Sequence, residues 1–418
     1  MKPETIRKID ISIGRATCFF MTCLRRIVDS FDLQKTTSPP IKKILFIKLI
    51  EQGATVIAYG AIYRAVEMVG RENVFFCVFE ENREILDIMD VLPSENVFVI
   101  RNSDFFTFLS DVLRLLIKIR RHNIDATVDM EFFARAPAIL SYLTGAKRRV
   151  GLHRFTSETP YRGDLMTHRV QYNPYLHTSI TYNSLVEALK IGAEETPLLK
   201  IPVEQMAADP PPRFVPTAEE KSRVGKLLRE SFGQGVAEGH VVLLNPNASD
   251  MLPLRKWAAE NFVNLGKRIL NDHSNVSIVI TGAPSEEEAA DVICRKINSP
   301  RAVSFAGKTT LRELLVLYTL ADVLVTNDSG PSHFASMTQI DSVVLYGPET
   351  PKLFGATGGH FHSICAGFAC SPCVNVFNHR FSPCTNNVCM QMISVEKVYD
   401  KVQSCLQKRK SLKRGTGV

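Results

Sequence analysis

Residues 321–348 read ADVLVTNDSGPSHFASMTQIDSVVLYGP. Val323, Leu324 and Val325 make a short apolar, partly β-branched run, which predicts a buried strand. Thr326-Asn327-Asp328-Ser329-Gly330-Pro331 breaks that run with helix-start chemistry. Asp328 or Ser329 can accept from the unpaired N–H groups of a first helical turn, and Pro331 suits that turn. His333, Phe334 and Ala335 follow on the helix, and a second strand over 342–346 closes at Gly347-Pro348. α/β proteins hold phosphate where a strand feeds a glycine-bearing turn and a helix N-terminus, because N–H groups and the positive dipole end converge there. Gly330, lacking a Cβ, lets an anion approach the backbone. Asp-Ser-Gly is also an ordinary N-cap, and a histidine in a first turn is also an ordinary core residue; these residues alone leave both readings open.

Strand and helix alternate upstream. Strands are expected over 240–244, 276–281 and 303–305, and helices over 217–232, 257–271, 286–297 and 311–320. The first half repeats the pattern, with strands over 43–49, 74–78, 97–100, 126–129 and one ending near 154. Its helices are expected after Gly53, over 84–89, 104–121 and 135–143. Such alternation means parallel sheets covered by helices, with ligands at the strand C-termini. Residues 155–195 read as polar loops whose Arg162, Tyr172, Tyr175, His177 and Tyr182 are candidates for a sugar acceptor.

Ala207–Pro216 carries four prolines in ten residues and reads as a semi-rigid linker. The expected organisation is an amphipathic extension and linker (1–40), a Rossmann-like domain (41–206), the proline linker (207–216), a second Rossmann-like domain (217–393), and a terminal helix with a basic tail (394–418).

Composition narrows the function classes. With 45% hydrophobic and 22% charged residues, the 418-residue chain is an ordinary globular protein long enough for two domains. No apolar run reaches the ~20 residues of a spanning helix, and no secretory signal is evident, so a cytoplasmic location is expected. The net charge of +7 is clustered at Arg25-Arg26, Lys118–Arg121, Lys147–Arg149 and the tail from Lys408. No nucleic-acid motif accompanies these clusters, which leaves an anionic membrane or an acidic acceptor as partner and excludes nucleic acid. Residues 16–31 have helical spacing with apolar and basic sides, suited either to a membrane interface or to the protein's own surface.

The run Asn327-Asp328-Ser329-Gly330-Pro331-x-His333-x-Ala335, followed by Tyr346-Gly347-Pro348-x-x-Pro351, resembles the signature of glycosyltransferase family 9, which contains the lipopolysaccharide heptosyltransferases. The resemblance implies a GT-B architecture of two facing Rossmann-like domains, with the last helix crossing back to the first. It implies a nucleoside-diphosphate sugar as co-substrate and no required cofactor. By the same resemblance Asn327, Asp328, Ser329, Gly330 and Pro331 form the donor loop, and His333 and the Ser329 and Gly330 N–H groups meet the leaving diphosphate. Arg255-Lys256-Trp257 resembles a Lys-x-Trp segment whose lysine faces the donor phosphates, with Arg255 at that position. Glu286 (or Glu288) stands where the family contacts the ribose.

One departure matters. The family's first glycine turn reads Gly-Asp-Val, its Asp the proposed base; here it reads Gly53-Ala54-Thr55. Glu51, three residues before Ala54, is the candidate replacement, with Gly53 and Thr55 in the acceptor-side loop.

The chain has ten cysteines. Cys370-Ser-Pro-Cys373 with Cys384 and Cys389 has the spacing of a four-thiolate structural zinc site, and it is given at most a stabilising role. A dehydrogenase is a poor reading because no strand is followed by Gly-x-Gly-x-x-Gly. The expected activity is inverting transfer of a sugar, heptose being a candidate, to a lipopolysaccharide-type or other acidic glycan acceptor. The alternative is a sugar-nucleotide or glycan-binding relative that has lost its base.

Overall fold

The computed structural model describes residues 3–31, 40–153, 161–207, 209–233, 239–248, 252–377 and 381–415. The linker over 36–39 and the side chains of the basic tail from Lys410 onward lie outside the described residues.

The chain divides into two compact units, Met1–Asp209 and Pro210–Val418. The first holds β1 (Ile44–Ile47), β2 (Val74–Phe79), β3 (Val97–Ile100), β4 (Ala126–Asp129), β5 (Arg148–His153) and β6 (His168–Gln171). They form one parallel sheet in the order β3-β2-β1-β4-β5-β6. The second unit holds β7 (His240–Asn245), β8 (Val276–Ile280), β9 (Ala302–Ser304), β10 (Val323–Asn327), β11 (Asp341–Tyr346) and β12 (His360–Cys365). Its parallel order, β12-β11-β10-β7-β8-β9, is the same topology read from the other edge. In both sheets the strand order reverses after the first strand, between β1 and β4 and between β7 and β10. A crevice opens beyond the strand C-termini at such a reversal.

Helices cover both faces, so the central strands are buried throughout and read as apolar runs. Every residue of β1, β2, β10 and β11 is buried. In the second unit Trp257, Phe262, Leu265 and Ile269 pack on Val242, Leu244, Val325 and Val343. Val398, Tyr399, Val402 and Leu406 of the helix Val395–Gly415 join the same core. That helix therefore completes the core of the second unit.

Several elements escaped the sequence reading. Residues 155–195 contain β6 and a helix, Thr178–Glu187. Its polar residues are weak helix formers, but burial decides: Tyr182 is fully buried and stacks on Phe132, and Ser184 donates to the Thr181 carbonyl at 2.6 Å. Arg162 and Tyr172 are likewise buried, and His177 caps that helix, leaving only Tyr175 of the five candidate acceptor contacts strongly exposed. β12 is an edge strand, half exposed, whose polar alternation hides it.

The N-terminal helix runs from Pro3 to Phe31. Asp10 accepts from the Arg135 and Ala136 N–H groups at 2.9 Å each, capping the helix Arg135–Leu143. Thr22 accepts from the Asp164 N–H at 2.9 Å, and Arg25 pairs with Asp164. A Cβ on Gly163 would lie 2.5 Å from Thr22 Oγ1 and 2.7 Å from the Cys18 carbonyl oxygen, at a φ of +66°. Gly163→Ala is expected to loosen this seat by roughly 1–3 kcal/mol. Amide exchange should then rise across 10–25 and stay unchanged in the second unit; unaltered protection in 10–25 would refute the close-approach account.

Candidate functional site

Sites form at both strand-order reversals. In the second unit β10 ends at Asn327, whose side chain is fully buried and fully used. Its Nδ2 donates to the carbonyls of Pro246 (2.9 Å) and Asn247 (3.2 Å), and its Oδ1 accepts from the Trp257 N–H at 3.0 Å. Asn327 thus ties the loop after β7 to the segment carrying Arg255, and its amide faces no open space.

Ser329 is the N-cap of the helix Gly330–Ala335, yet its hydroxyl donates back to the Asn327 carbonyl at 3.2 Å and caps nothing. The expected Ser329 cap is therefore absent, and the Gly330 N–H at N1 has no intrahelical acceptor. Pro331 supplies no N–H, and the Ser332 N–H goes to the Ser329 carbonyl at 3.1 Å. Only six residues long, this helix contributes local N–H groups more than a macrodipole. A Cβ on Gly330 would sit 3.1 Å from the Phe334 ring. His333 is buried on the same helix.

Arg255 ends a short turn, Pro253–Arg255, and is buried. Its Nη1 lies 3.2 Å from Glu349 Oε2 and 4.0 Å from Asp328 Oδ2. Its Nε is buried without a hydrogen-bond partner among the described residues. Two carboxylates thus share one guanidinium, which holds it rigidly. Burial, with Asp328, Cys365 and Glu349 nearby, pushes the Tyr346 hydroxyl well above its ordinary value. Glu349 escaped the sequence reading because it occupies an unspecified position of the Tyr346–Pro351 motif. Glu286 follows β8; its Oε2 accepts from the Ala283 N–H at 2.7 Å, closing the turn into the next helix.

In the first unit the turn after β1 is made by Glu51 itself, at a φ of 71°. Left-handed backbone is uncommon outside glycine and gathers at functional sites. Gly53 was the expected turn residue, but it is buried inside the helix Gln52–Ile57, and Thr55 is buried with its hydroxyl 3.3 Å from the Glu51 carbonyl. Both shape the turn and neither faces open space.

The Glu51 carboxylate lies 3.8 Å from Lys48 Nζ. Lys48, only 1% exposed, also donates to both oxygens of Glu131, at 3.1 and 3.2 Å, and to the Ile50 carbonyl at 2.7 Å. Glu131 in turn accepts from the Leu49 N–H at 2.7 Å and the Ile50 N–H at 3.1 Å. Behind it, Asp129 at the end of β4 pairs with Arg162; burial raises its carboxyl to about 6 against that guanidinium. Lys48, Asp129 and Glu131 went unremarked in the sequence, although charges at the ends of apolar strands were the available signal.

The cysteine-rich segment braces the Arg255 site. Asn387 donates to the carbonyls of Leu254 (2.9 Å) and Lys256 (3.1 Å), and the Cys373 and Val374 N–H groups donate to the Pro348 carbonyl. Cys370, Cys373 and Cys384 lie near Cys389 and, after burial, help to raise its thiol. Among the described residues, however, the metal-ligating atoms that converge within 4.8 Å belong to Asp341, His362 and Cys405 rather than to these four cysteines. At that second set Arg409 already holds Asp341 at 2.8 Å, and burial lifts the Cys405 thiol to about 11. Of the basic clusters, Arg148 and Arg149 are tied to the carbonyls of Leu189 and Leu165. No described helix is long and apolar enough to cross a membrane.

The sequence profile of glycosyltransferase family 9 (heptosyltransferase) matches residues 112–380. Lipopolysaccharide heptosyltransferase 2 of Salmonella typhimurium is 30% identical over 102 residues, 24% of this chain and 29% of that protein. Lipooligosaccharide heptosyltransferase 2 of Campylobacter jejuni subsp. jejuni serotype O:2 is 26% identical over 171 residues, 39% of this chain and 50% of that one. The chain thus spans half or less of the length of these curated relatives. The structure of E. coli ADP-heptose lps heptosyltransferase II superposes with a TM-score of 0.63 at 18% identity, covering 88% of this chain and 99% of that one.

Two Rossmann-like sheets in tandem, each with its polar cluster at the strand-order reversal, define the chain as a GT-B protein. It belongs to glycosyltransferase family 9, on a match spanning residues 112–380. The loop of Glu51, Gly53 and Thr55 precedes that span.

Asn327→Ala would strand two carbonyls and one N–H in the interior. A loss of about 3 kcal/mol in the second unit is expected, read by urea unfolding through the fluorescence of Trp257, the only tryptophan. A loss below about 0.5 kcal/mol would show that the loops are held by other contacts.

Proposed function

We propose that the chain transfers a sugar from a nucleoside-diphosphate donor to an acidic glycan acceptor, with inversion at the anomeric carbon. The observation that carries the reading is Arg255. It is a buried guanidinium at the reversal of the second sheet, fixed by Glu349 and Asp328, with its Nε left without an acceptor among the described residues. A buried unpaired donor costs about 1–3 kcal/mol, which a phosphate oxygen would recover. The Gly330 N–H is the neighbouring donor, and His333 is the candidate to meet the leaving oxygen. Asp328 serves the sugar hydroxyls or orders the turn, and Glu286 the ribose. Ser329 and Pro331 set the loop, and Asn327 positions it.

In the transfer, the acceptor oxygen attacks the anomeric carbon from the face opposite the diphosphate while the bond to the phosphate oxygen breaks. Negative charge grows on the diphosphate, where fixed donors lower the barrier. The acceptor proton passes to Glu51, the carboxylate set beside Lys48. No cofactor beyond the nucleotide sugar enters this chemistry. Zinc at Cys370, Cys373, Cys384 and Cys389 would brace the Arg255 loop without taking part.

A heptose on ADP is the first donor to offer, since the superposed E. coli structure is titled an ADP-heptose lps heptosyltransferase. A lipopolysaccharide-type inner core is the acceptor to offer, and a cytoplasmic site of action is part of the proposal. The second reading, a sugar-nucleotide or glycan-binding relative without turnover, is favoured by Ala54 standing where the family carries its base.

Product formation by the purified chain on a panel of ADP-, UDP-, GDP- and CDP-sugars decides between them. Glu51→Gln is expected to lower kcat by at least ~100-fold with donor affinity unchanged, and Arg255→Ala to weaken donor binding by at least ~10-fold. Donor binding without product in the wild type would establish the binding-only reading. No binding of any sugar nucleotide would overturn both.

A further inference from the structure

The N-terminal helix is held along one face and exposed along the other. Gly14, Cys18 and Thr22 form the docked side: a Cβ on Gly14 would lie 3.0 Å from Arg135 Cβ, and Cys18 and Thr22 crowd Gly163. Ile13, Phe20, Leu24 and Ile27 recur at helical spacing about half a turn away, and all four are exposed. The bonds through Asp10, Thr22 and Arg25 fix this orientation, so the apolar side cannot roll inward.

A second helix of the same unit repeats the design. Phe105–His122 buries Leu115 and Ile119 and presents Phe106, Leu109, Leu113 and Ile117 to solvent. Phe106 is 80% exposed and Phe20 70%, values far from those of half-covered surface residues. The two helices are linked through a third. Leu115 and Ile119 enter the same core as Leu140 of the helix Arg135–Leu143, on which the N-terminal helix packs.

Single exposed apolar residues need no explanation, but stripes on two helices of one layer mark an interaction surface. The charges beside them identify the partner. Lys8, Arg15 and Arg26 on the first helix and Arg114, Lys118, Arg120 and Arg121 on the second are exposed. Of the described acids on these helices, Asp10 pairs with Arg135 and Asp111 with Arg101; the side chains of Glu4 and Asp29 lie outside the described residues. Apolar side chains flanked by cations with no competing free acid on the described faces are the complement of an anionic lipid surface, where rings and aliphatic chains enter the acyl boundary and cations meet phosphates.

We propose that this helical layer seats the first unit on an anionic bilayer surface, with Phe20, Leu24, Phe106 and Leu113 entering the membrane interface. The proposal goes beyond the transfer reading. Its test needs neither donor nor acceptor, so failure of either proposal leaves the other standing.

The full chain should float with phosphatidylethanolamine vesicles containing phosphatidylglycerol, should not float with phosphatidylcholine vesicles, and should detach as salt is raised. The double variants Phe20→Glu/Leu24→Glu and Phe106→Glu/Leu113→Glu replace exposed residues and should keep wild-type circular dichroism and Trp257 fluorescence. Each is expected to lower partitioning by at least ~10-fold. Failure of the wild type to float, equal flotation on neutral vesicles, or wild-type flotation of both variants would each overturn the proposal. So would a self-associated chain that Phe20→Glu/Leu24→Glu makes monomeric, since a second copy would then be the occupant.

Discussion

The side-chain amide of Asn327 makes the bonds on which the strand-end loops of the second unit depend. Three loops arrive there from separate parts of the sequence: the segment after β7, the turn bearing Arg255 and the loop leaving β10. None can satisfy its own backbone, since loops at the end of a doubly wound sheet lie outside every ladder. One buried amide accepts from Trp257 and donates to Pro246 and Asn247, joining all three. The geometry of Arg255 relative to Gly330 is therefore a consequence of Asn327. This explains why the first residue of the signature is turned away from open space.

The two units solve the same electrostatic problem in the same place. At each strand-order reversal a buried cation is shared between two carboxylates: Lys48 with Glu131 and Glu51, Arg255 with Glu349 and Asp328. In each set one acid lies closer than the other, at 3.1 Å against 3.8 Å and at 3.2 Å against 4.0 Å. The nearer acid compensates the buried charge, a burial that would be costly for an unpaired ion. The farther one is held in place by the same cation. Glu51 and Asp328 are those farther acids, in the turns leaving β1 and β10, strands that stand beside a reversal.

The sequence was most legible where burial and local pattern agree. β3, β4 and the helices Arg135–Leu143 and Leu311–Leu320 fall at the bounds expected from apolar runs and caps. Legibility failed where tertiary burial overrides composition. The helix Thr178–Glu187 is polar in sequence and buried in fact, and β12 sits at an edge where its residues are half exposed. Within the sites, the loop Thr326–Pro331 was readable from its turn chemistry. The partners of its charges were not: Glu349 is brought to Arg255 from 94 residues away, and Glu131 to Lys48 from 83. Pairings of that range carry no local signature. The glycine expectation at Gly53 failed for a related reason, because the left-handed residue of that turn is Glu51, whose strain nothing in the neighbouring sequence announces.

The cysteine-rich segment shows how the second unit keeps its loops in register. Two of the loops that bear the shared cation and its nearer acid, around Arg255 and Gly347–Glu349, have few buried apolar residues of their own. The segment supplies what they lack. Asn387 grips the backbone on either side of Arg255, Cys373 and Val374 grip Pro348, and the Trp257 indole N–H reaches the Ile393 carbonyl at 2.8 Å. Gly347 is required by the closeness of this brace: a Cβ there would lie 2.5 Å from Met390 Sδ and 3.0 Å from Cys389 Sγ. The brace works through backbone carbonyls and one ring, so it constrains where Arg255 and Glu349 meet without contributing charge to the site.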